Sequence, residues 1–260
     1  MTRERRTPAP HRVVSLVPSL TEAIAACAPE SLVGVTDWCS HPADLAAERI
    51  GGTKNPDPAR ILALAPDLVV ANEEENRPTD LEALRAAGLT VLVTVIRTLD
   101  EALAELERVL VTGCRLPRPA WWEEARENWH AVRPVVDAPV IVPIWRRPWM
   151  VLGRDTFAGD LLSRLGARNR FADASDRYPR VPLPDLRAAG AGLVVLPDEP
   201  YAFGPGDGPE AFPELPAALV DGRSLTWYGP SLVEAPHRLG AALLDPLPPA
   251  GRPAPGLGSP

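Results

Sequence analysis

Between Asp37 and Pro42 the chain reads Asp-Trp-Cys-Ser-His-Pro, which sets an indole, a thiol and an imidazole within four positions, directly after the apolar run over residues 31–35. Three chemistries are open to such a segment: a Cys–His nucleophilic dyad, a metal site, or the wall of a ligand pocket. A dyad needs a base within reach of the nucleophile and a third group to orient that base. Cys39 and His41 are two apart, so on an extended segment they point the same way, but no orienting group is evident. Catalysis is the weaker reading. Pro42 lacks an N–H and favours an extended conformation at His41, which holds the imidazole on a loop. A neutral imidazole is a good ligand for cobalt or iron, and a thiolate at Cys39 is a softer alternative. Against both stands the reading in which Cys39 packs as a small hydrophobe and His41 caps the following helix. The segment is read as pocket wall first, with Trp38 the surest contact, and His41 as metal ligand second.

The other chemistry-bearing residues are mostly rings. Of the 14 aromatic residues, Trp121, Trp122 and Trp129 fall in one expected helix, while Trp38, Trp145, Trp149, Tyr201, Phe203, Trp227 and Tyr228 fall in expected loops next to strands or helices. Loops at the strand ends of α/β sheets are where ligands bind. Any one ring serves a core equally well; seven together suit a large, flat, partly apolar ligand. Arg146, set among them, suits a carboxylate, amide or phosphate at the ligand's edge. Residues 73–77, Glu-Glu-Glu-Asn-Arg, read as a solvated loop, with Asn72 and Glu75 as candidate contacts. The stretch Gly-Gly-Thr-Lys-Asn-Pro over 51–56 lacks the leading glycine and the Ser/Thr after lysine that a phosphate loop requires. The sequence has no serine nucleophile elbow, no HExxH and no paired CxxC, so no enzyme is expected.

Alternating strand and helix signals must position these residues. Residues 12–17 read as a buried strand, and 19–28 as a helix opened by Ser19 with Glu22 at capping-box spacing. A strand over 31–35, a short helix running into the strand 67–71, a helix ended by Gly88, a strand, and a helix over 98–111 complete an α/β lobe with a mainly parallel sheet. The pattern breaks at 112–120 and is followed by a helix over 121–133, with Trp122, Ala125 and Trp129 on one stripe. It then restarts with a strand over 139–145, a helix over 157–166, a short helix turning into a strand before Asp198, and a helix over 229–244. The helix-to-strand units ILALAPDLVVA and DLRAAGAGLVVLP echo each other in the two halves. The expected organisation is a flexible N-terminus (1–11), an α/β lobe (12–112), a connecting helix (113–136), a second α/β lobe (137–244) and a disordered Pro/Gly-rich tail (245–260).

Composition sets outer bounds. A net charge of −7 argues against a nucleic-acid partner. No apolar run approaches the roughly 20 residues of a membrane-spanning helix. The start carries no export-signal pattern, and three widely spaced cysteines do not suit a disulfide framework, so the expected compartment is the cytoplasm.

The motifs RVVSLVPSLTE (12–22), ARILALAPDLVVA (59–71), RPWMVLGRDTFAGDLLSRLG (147–166), DEPYAFG (198–204) and DGRSLTWYG (221–229) together resemble the iron–siderophore and vitamin B12 class of substrate-binding proteins, the helical-backbone metal receptors. The resemblance runs from about Val13 to Leu244 and implies two Rossmann-like α/β lobes bridged by a single long helix, with the ligand in the interlobe cleft. It implies a metal chelate as ligand: a corrinoid first, else haem or a ferric siderophore. It also implies a ligand-binding set of Pro18, Ser19, Trp38, Cys39, His41, Asn72, Glu75, Trp145, Arg146, Trp149, Glu199, Tyr201, Trp227 and Tyr228. The stretch Asp37–Pro42 with 51–56 resembles a cobalamin-binding-like subgroup. Exported members dock to a membrane permease through a surface glutamate on each lobe; Pro78 and Thr226 hold the matching places here, although Glu73–Glu75 could substitute on the first. Docking is therefore not expected, and a soluble monomer is. The competing readings are a chelatase-like metal inserter and an interaction or sensory protein without a ligand.

Overall fold

The computed structural model describes residues 11–249, which divide into two compact units. Unit 1 holds the residues up to Val95, Leu103–Trp122 and the returning segment Tyr228–Pro230; unit 2 holds Ile96–Ala102, Glu123–Trp227 and the chain from Ser231 onward.

Unit 1 is built on a five-stranded parallel sheet. Its strands are β1 (Val13–Ser15), β2 (Leu32–Val35), β3 (Glu48–Arg49), β6 (Leu68–Asn72) and β7 (Val91–Thr94), in the order β3-β2-β1-β6-β7. Between β3 and β6 a small antiparallel hairpin pairs β4 (Gly51–Gly52) with β5 (Asn55–Pro56). Continuous apolar runs mark strands covered on both faces, and Val14, Leu16, Ile50, Val69 and Ala71 meet Ile61 of α2 (Pro58–Ala63) and Leu81 and Leu84 of α3 (Pro78–Ala86) in one core. Asp57 caps α2 by accepting from the amides of Ala59 and Arg60. Gly88 ends α3 as expected, at φ +87°, a conformation that a side chain disfavours. The capping-box expectation for the first helix fails: α1 (Pro18–Ala25) begins at Pro18, with Val17 as its N-cap and no side-chain cap bond, and Ser19 is buried inside it. Proline at the first helical position supplies a preset φ and no N–H to satisfy, so Ser19 is not needed as a cap.

Unit 2 has a four-stranded parallel sheet, order β11-β8-β12-β13, made of β8 (Ala138–Ile141), β11 (Ala167–Asn169), β12 (Leu193–Pro197) and β13 (Ala217–Val220). The expected single strand over 139–145 is two: β8 stops at Ile141, and β9 (Pro143–Arg146) leaves the sheet to pair antiparallel with β10 (Trp149–Val151). Thr156 caps α6 (Phe157–Arg164) and Asp221 caps α8 (Gly222–Thr226); α7 (Leu183–Arg187) leads into β12, and α9 (Ala235–Leu244) follows a short 3-10 turn at Pro230–Val233. The helix expected over 229–244 is thus interrupted. Leu247 exchanges both backbone hydrogen bonds with Ala217, so pairing continues past the point where an irregular tail was expected; residues 250–260 and 1–10 lie outside the described range.

The division between units passes through α4 (Leu99–Glu107), which widens into a π-helical turn over Arg108–Gly113, and through α5 (Ala120–Ala131). The stripe read on α5 is buried: Trp122 donates its Nε1–H to the Leu103 carbonyl at 2.9 Å, and Trp129 donates to that of Leu232 at 3.0 Å. The architecture is mixed α/β with a parallel sheet in each of two lobes.

Candidate functional site

In unit 1 the turn after β2 carries the opening motif. Arg49 of β3 ties it down by donating from Nη1 to the carbonyls of Thr36 (2.9 Å) and Cys39 (2.8 Å). Cys39 is fully buried, its Sγ 3.0 Å from the Thr21 hydroxyl of α1 and 3.2 Å from that of Thr36. Burial pushes its thiol up in pKa, more than the two hydroxyls and the Arg49 charge pull it down. A thiol held protonated in the core is neither a ready nucleophile nor a soft thiolate ligand. His41 is half-buried beside Ser40, whose Oγ lies 3.0 Å from Nδ1, and no helix follows for it to cap. Trp38 is 68% exposed, and its Nε1 lies 3.4 Å from where a Cβ on Gly52 would stand, so the hairpin glycine lets the indole lie against bare backbone.

Asn72 and Asn76 are spent on architecture. Asn72 is buried and donates from Nδ2 to the carbonyl and hydroxyl of Thr94, while its Oδ1 accepts from the Glu74 amide. Asn76 donates to the Leu16 and Thr53 carbonyls, joining the 51–56 hairpin to the loop after β6. That loop also takes the chain's only lysine, Lys54, which donates to the Glu74 carbonyl. Burial pushes the Glu75 carboxyl up in pKa, with Lys54 opposing and Glu74 adding to the shift. Pro18 and buried Ser19 begin α1, and the segment at Tyr228 and Gly229 returns there: a Cβ on Gly229 would stand 3.2 Å from the Ser19 carbonyl. The structure therefore gathers Trp38, the 51–56 hairpin and the 72–76 loop, and buries Cys39 and Asn72.

In unit 2 the β9–β10 hairpin and the loop after β12 form an aromatic cluster. Trp149 stacks on Phe203 (6.0 Å, 9°) and meets Phe212 edge-on; Trp145, 42% exposed, meets Tyr201 edge-on at 5.6 Å. Phe203 and Phe212 are core, whereas Trp145 presents its ring outward. The Arg146 guanidinium lies 5.4 Å from the Trp149 ring centroid and pairs with both Asp207 and Glu210. Tyr201 adds a 2.7 Å hydrogen bond to Asp207. Burial opposes the charge on Glu210, yet the Gly208 amide and Arg146 hold its carboxyl below the ordinary range. Trp227 is buried and donates its Nε1–H to Glu199 at 3.0 Å, so it is less a free ligand contact than a strut. An open pocket of about 440 Å³ is lined by Arg146, Arg147, Pro148, Trp149, Arg180, Val181 and Pro182. Among the described residues no group of three or more His, Cys, Asp or Glu side chains is arranged to hold a metal ion.

No family model matches the sequence. The chain is 31% identical over 185 residues to the vitamin B12-binding protein of Pectobacterium atrosepticum, spanning 66% of each chain. Its fold matches that of the periplasmic vitamin B12-binding protein BtuF of Vibrio cholerae, with a TM-score of 0.72 over 90% of this chain and 97% of that one, at 22% identity. The chain belongs to the iron–siderophore and vitamin B12 class of substrate-binding proteins. A periplasmic haem-binding protein of Pseudomonas aeruginosa shares the fold at a TM-score of 0.70, 24% identity, 92% of this chain and 95% of that one. Membership in this class accounts for the parallel sheet in each unit. The chain spans about two thirds of the length of the curated relatives it matches.

Several features of this class member were not read from sequence. Arg147 and Arg180 line the pocket; the doubled arginine before Pro148 was the available signal for the first, and nothing local marked the second. Asp207 and Glu210 pair with Arg146 across more than sixty residues, which no spacing reveals. Nothing in the structure supports the loss of permease docking: Glu73 and Glu74 stay partly exposed on the loop before α3. No helix among the described residues is long and apolar enough to cross a membrane.

Proposed function

We propose that the protein is a binding protein, and no enzyme, for a metal chelate of corrinoid or haem type, carried as cargo. The observation that supports this most is the unit 2 patch, where the outward face of Trp145 and the pocket floored by Trp149 offer apolar ring area beside cationic groups. The relatives' names point the same way: vitamin B12 in Pectobacterium atrosepticum and Vibrio cholerae, haem in Pseudomonas aeruginosa. Trp38 is proposed as a further contact and His41 as the one protein ligand to the chelated metal, because its ring stays accessible while Cys39 does not. Glu75, Tyr201 and Arg146 border these surfaces; Pro18, Ser19, Glu199, Trp227 and Tyr228 support them.

Titration of the purified protein with cobalamin, cobinamide, haem and ferric chelates, followed by visible absorption, tests the reading. Saturable one-to-one binding of one of them at micromolar concentration or below is expected, and a folded protein that binds none refutes it. The compartment is part of the proposal. Three unpaired cysteines, two of them buried, suit the reducing cytoplasm, whereas the structural neighbours are named as periplasmic proteins. Co-fractionation with cytoplasmic markers in the native host is expected, and recovery by osmotic shock would place it outside.

A further inference from the structure

Three arginines, Arg146, Arg147 and Arg180, line the unit 2 pocket, and they are not equivalent. Arg146 is already compensated: its side chain is only 19% exposed and ion-pairs with Asp207 and Glu210. Arg147 and Arg180 are exposed and make no hydrogen bond or ion pair among the described residues. Both belong to the lining of one pocket whose surface is chiefly apolar. Arg147 sits at the tip of the β9–β10 hairpin, and Arg180 lies on the segment that crosses β10, where Met150 bridges to Arg180 and the Val181 amide donates to the Trp149 carbonyl. Pro148, Trp149, Val181 and Pro182 supply the rest of the lining with Arg146.

Isolated exposed arginines are ordinary surface. Two uncommitted ones lining a single, chiefly apolar pocket, in a chain of net charge −7, are a recognition pattern for an anion attached to an apolar body. We infer that Arg147 and Arg180 are specificity-determining residues that select chelates bearing free carboxylates at the ring edge over chelates whose edge carries neutral amides or esters. A carboxylate accepts both arms of a guanidinium fork in charge-assisted bonds, whereas an amide offers one neutral acceptor and brings donors that arginine cannot accept. Asp207 and Glu210 sharpen the choice by leaving no spare positive charge at Arg146, so an acid is drawn to the Arg147 and Arg180 side. The inference rests on the proposed function, since it assumes that this patch meets the ligand.

The test compares haem with haem dimethyl ester, the same ring with its two carboxylates esterified, by Soret titration at low and high salt. Proteins titrated are the parent, the double variant Arg147→Gln with Arg180→Gln, and the double variant Arg147→Lys with Arg180→Lys. Cobinamide serves as an amide-edged ligand. The parent is expected to bind haem at least tenfold more tightly than the diester, and the Gln pair to lose tenfold or more for haem and less than twofold for the diester. The Lys pair should keep most of the haem affinity at low salt and lose it as salt rises, because a point charge replaces a bidentate fork. Equal affinity of the parent for haem and diester, tighter binding of cobinamide than of haem, or equal losses for both haem forms in the Gln pair would overturn the inference while leaving the binding function in place. A folded parent that binds none of the three ligands overturns the inference, and the binding function falls with it only if cobalamin and the ferric chelates fail to bind as well.

Discussion

Replacing Trp145 with alanine separates binding from folding more cleanly than any other substitution in the aromatic patch. The indole is 42% exposed, and its one ring contact among the described residues is the edge-on meeting with Tyr201 at 5.6 Å. Losing that contact costs about 0.5–1.5 kcal/mol, uncovering the buried share of the ring, about 145 Å² at about 25 cal/mol per Å², costs up to about 3.6 kcal/mol more, and together they lower the melting temperature by up to roughly 8–20 °C. The exposed share is what a ligand can cover. A tryptophan side chain presents up to about 250 Å², so 42% leaves about 100 Å² available. At about 25 cal/mol per Å² full coverage is worth about 2.5 kcal/mol and half coverage about 1.3 kcal/mol. The second figure is already close to a tenfold change in Kd. Isothermal titration of parent and Trp145→Ala with the tightest-binding chelate, alongside a thermal melt of each, is the assay. A drop of tenfold or more in affinity, measured at a temperature where both melts show folded protein, is expected. If the variant binds as tightly as the parent, the outward face of Trp145 is not part of the ligand wall and the unit 2 site is wrong.

Other substitutions should behave differently, each for a local reason. Trp227→Ala removes a buried ring together with its bond to Glu199, so a stability loss of about 3–5 kcal/mol is expected in urea unfolding, with Trp227→Phe losing about 1–2 kcal/mol for the Nε1–H bond alone. His41→Ala should shift the visible spectrum of a bound cobalt or iron chelate if the imidazole coordinates its metal; an unchanged spectrum with reduced affinity would assign it to the pocket wall instead. Cys114 is pushed up to about 12 by burial, with Cys27 adding to the shift. Because its folded pKa lies above the unfolded value of about 8.5, the folded state keeps a proton that the unfolded state loses, and stability should fall as pH rises from about 8.5 towards 12. Urea midpoints between pH 8 and 11 should show that slope in the parent and a shallower one in Cys114→Ala; parallel slopes would contradict it.

What the sequence made legible was the part of the fold written in local pattern. The apolar runs at 12–17, 67–71 and 193–197 are strands because they are covered on both faces, and Gly88 and the Trp122–Trp129 stripe did what their spacing demands. The strands it hid are short and composed against type. β4 and β5 are two residues each and carry Gly, Asn and Pro, and β13 is Ala-Ala-Leu-Val, which periodicity cannot distinguish from a helix turn. Pro143 split the run over 139–145 because it cannot donate to a ladder, and the chain used the break to turn β9 out of the sheet. In the site, the rings were visible as residue types, but their sorting was not. Phe203 and Trp227 go inward, Trp38 and Trp145 outward, according to partners such as Glu199 and Tyr201 supplied by other segments. The same holds for Cys39, whose two hydroxyl neighbours come from α1 and the end of β2.

The measurement that bears most directly on the binding function is native mass spectrometry, with a visible spectrum, of the protein isolated from its own host without added ligand. The account predicts a mass increment equal to one metal chelate and an absorption band of a corrinoid, haem or ferric complex that disappears on denaturation. A protein that is folded, colourless and of bare polypeptide mass, and stays so after exposure to the host's own small-molecule extract, would contradict it.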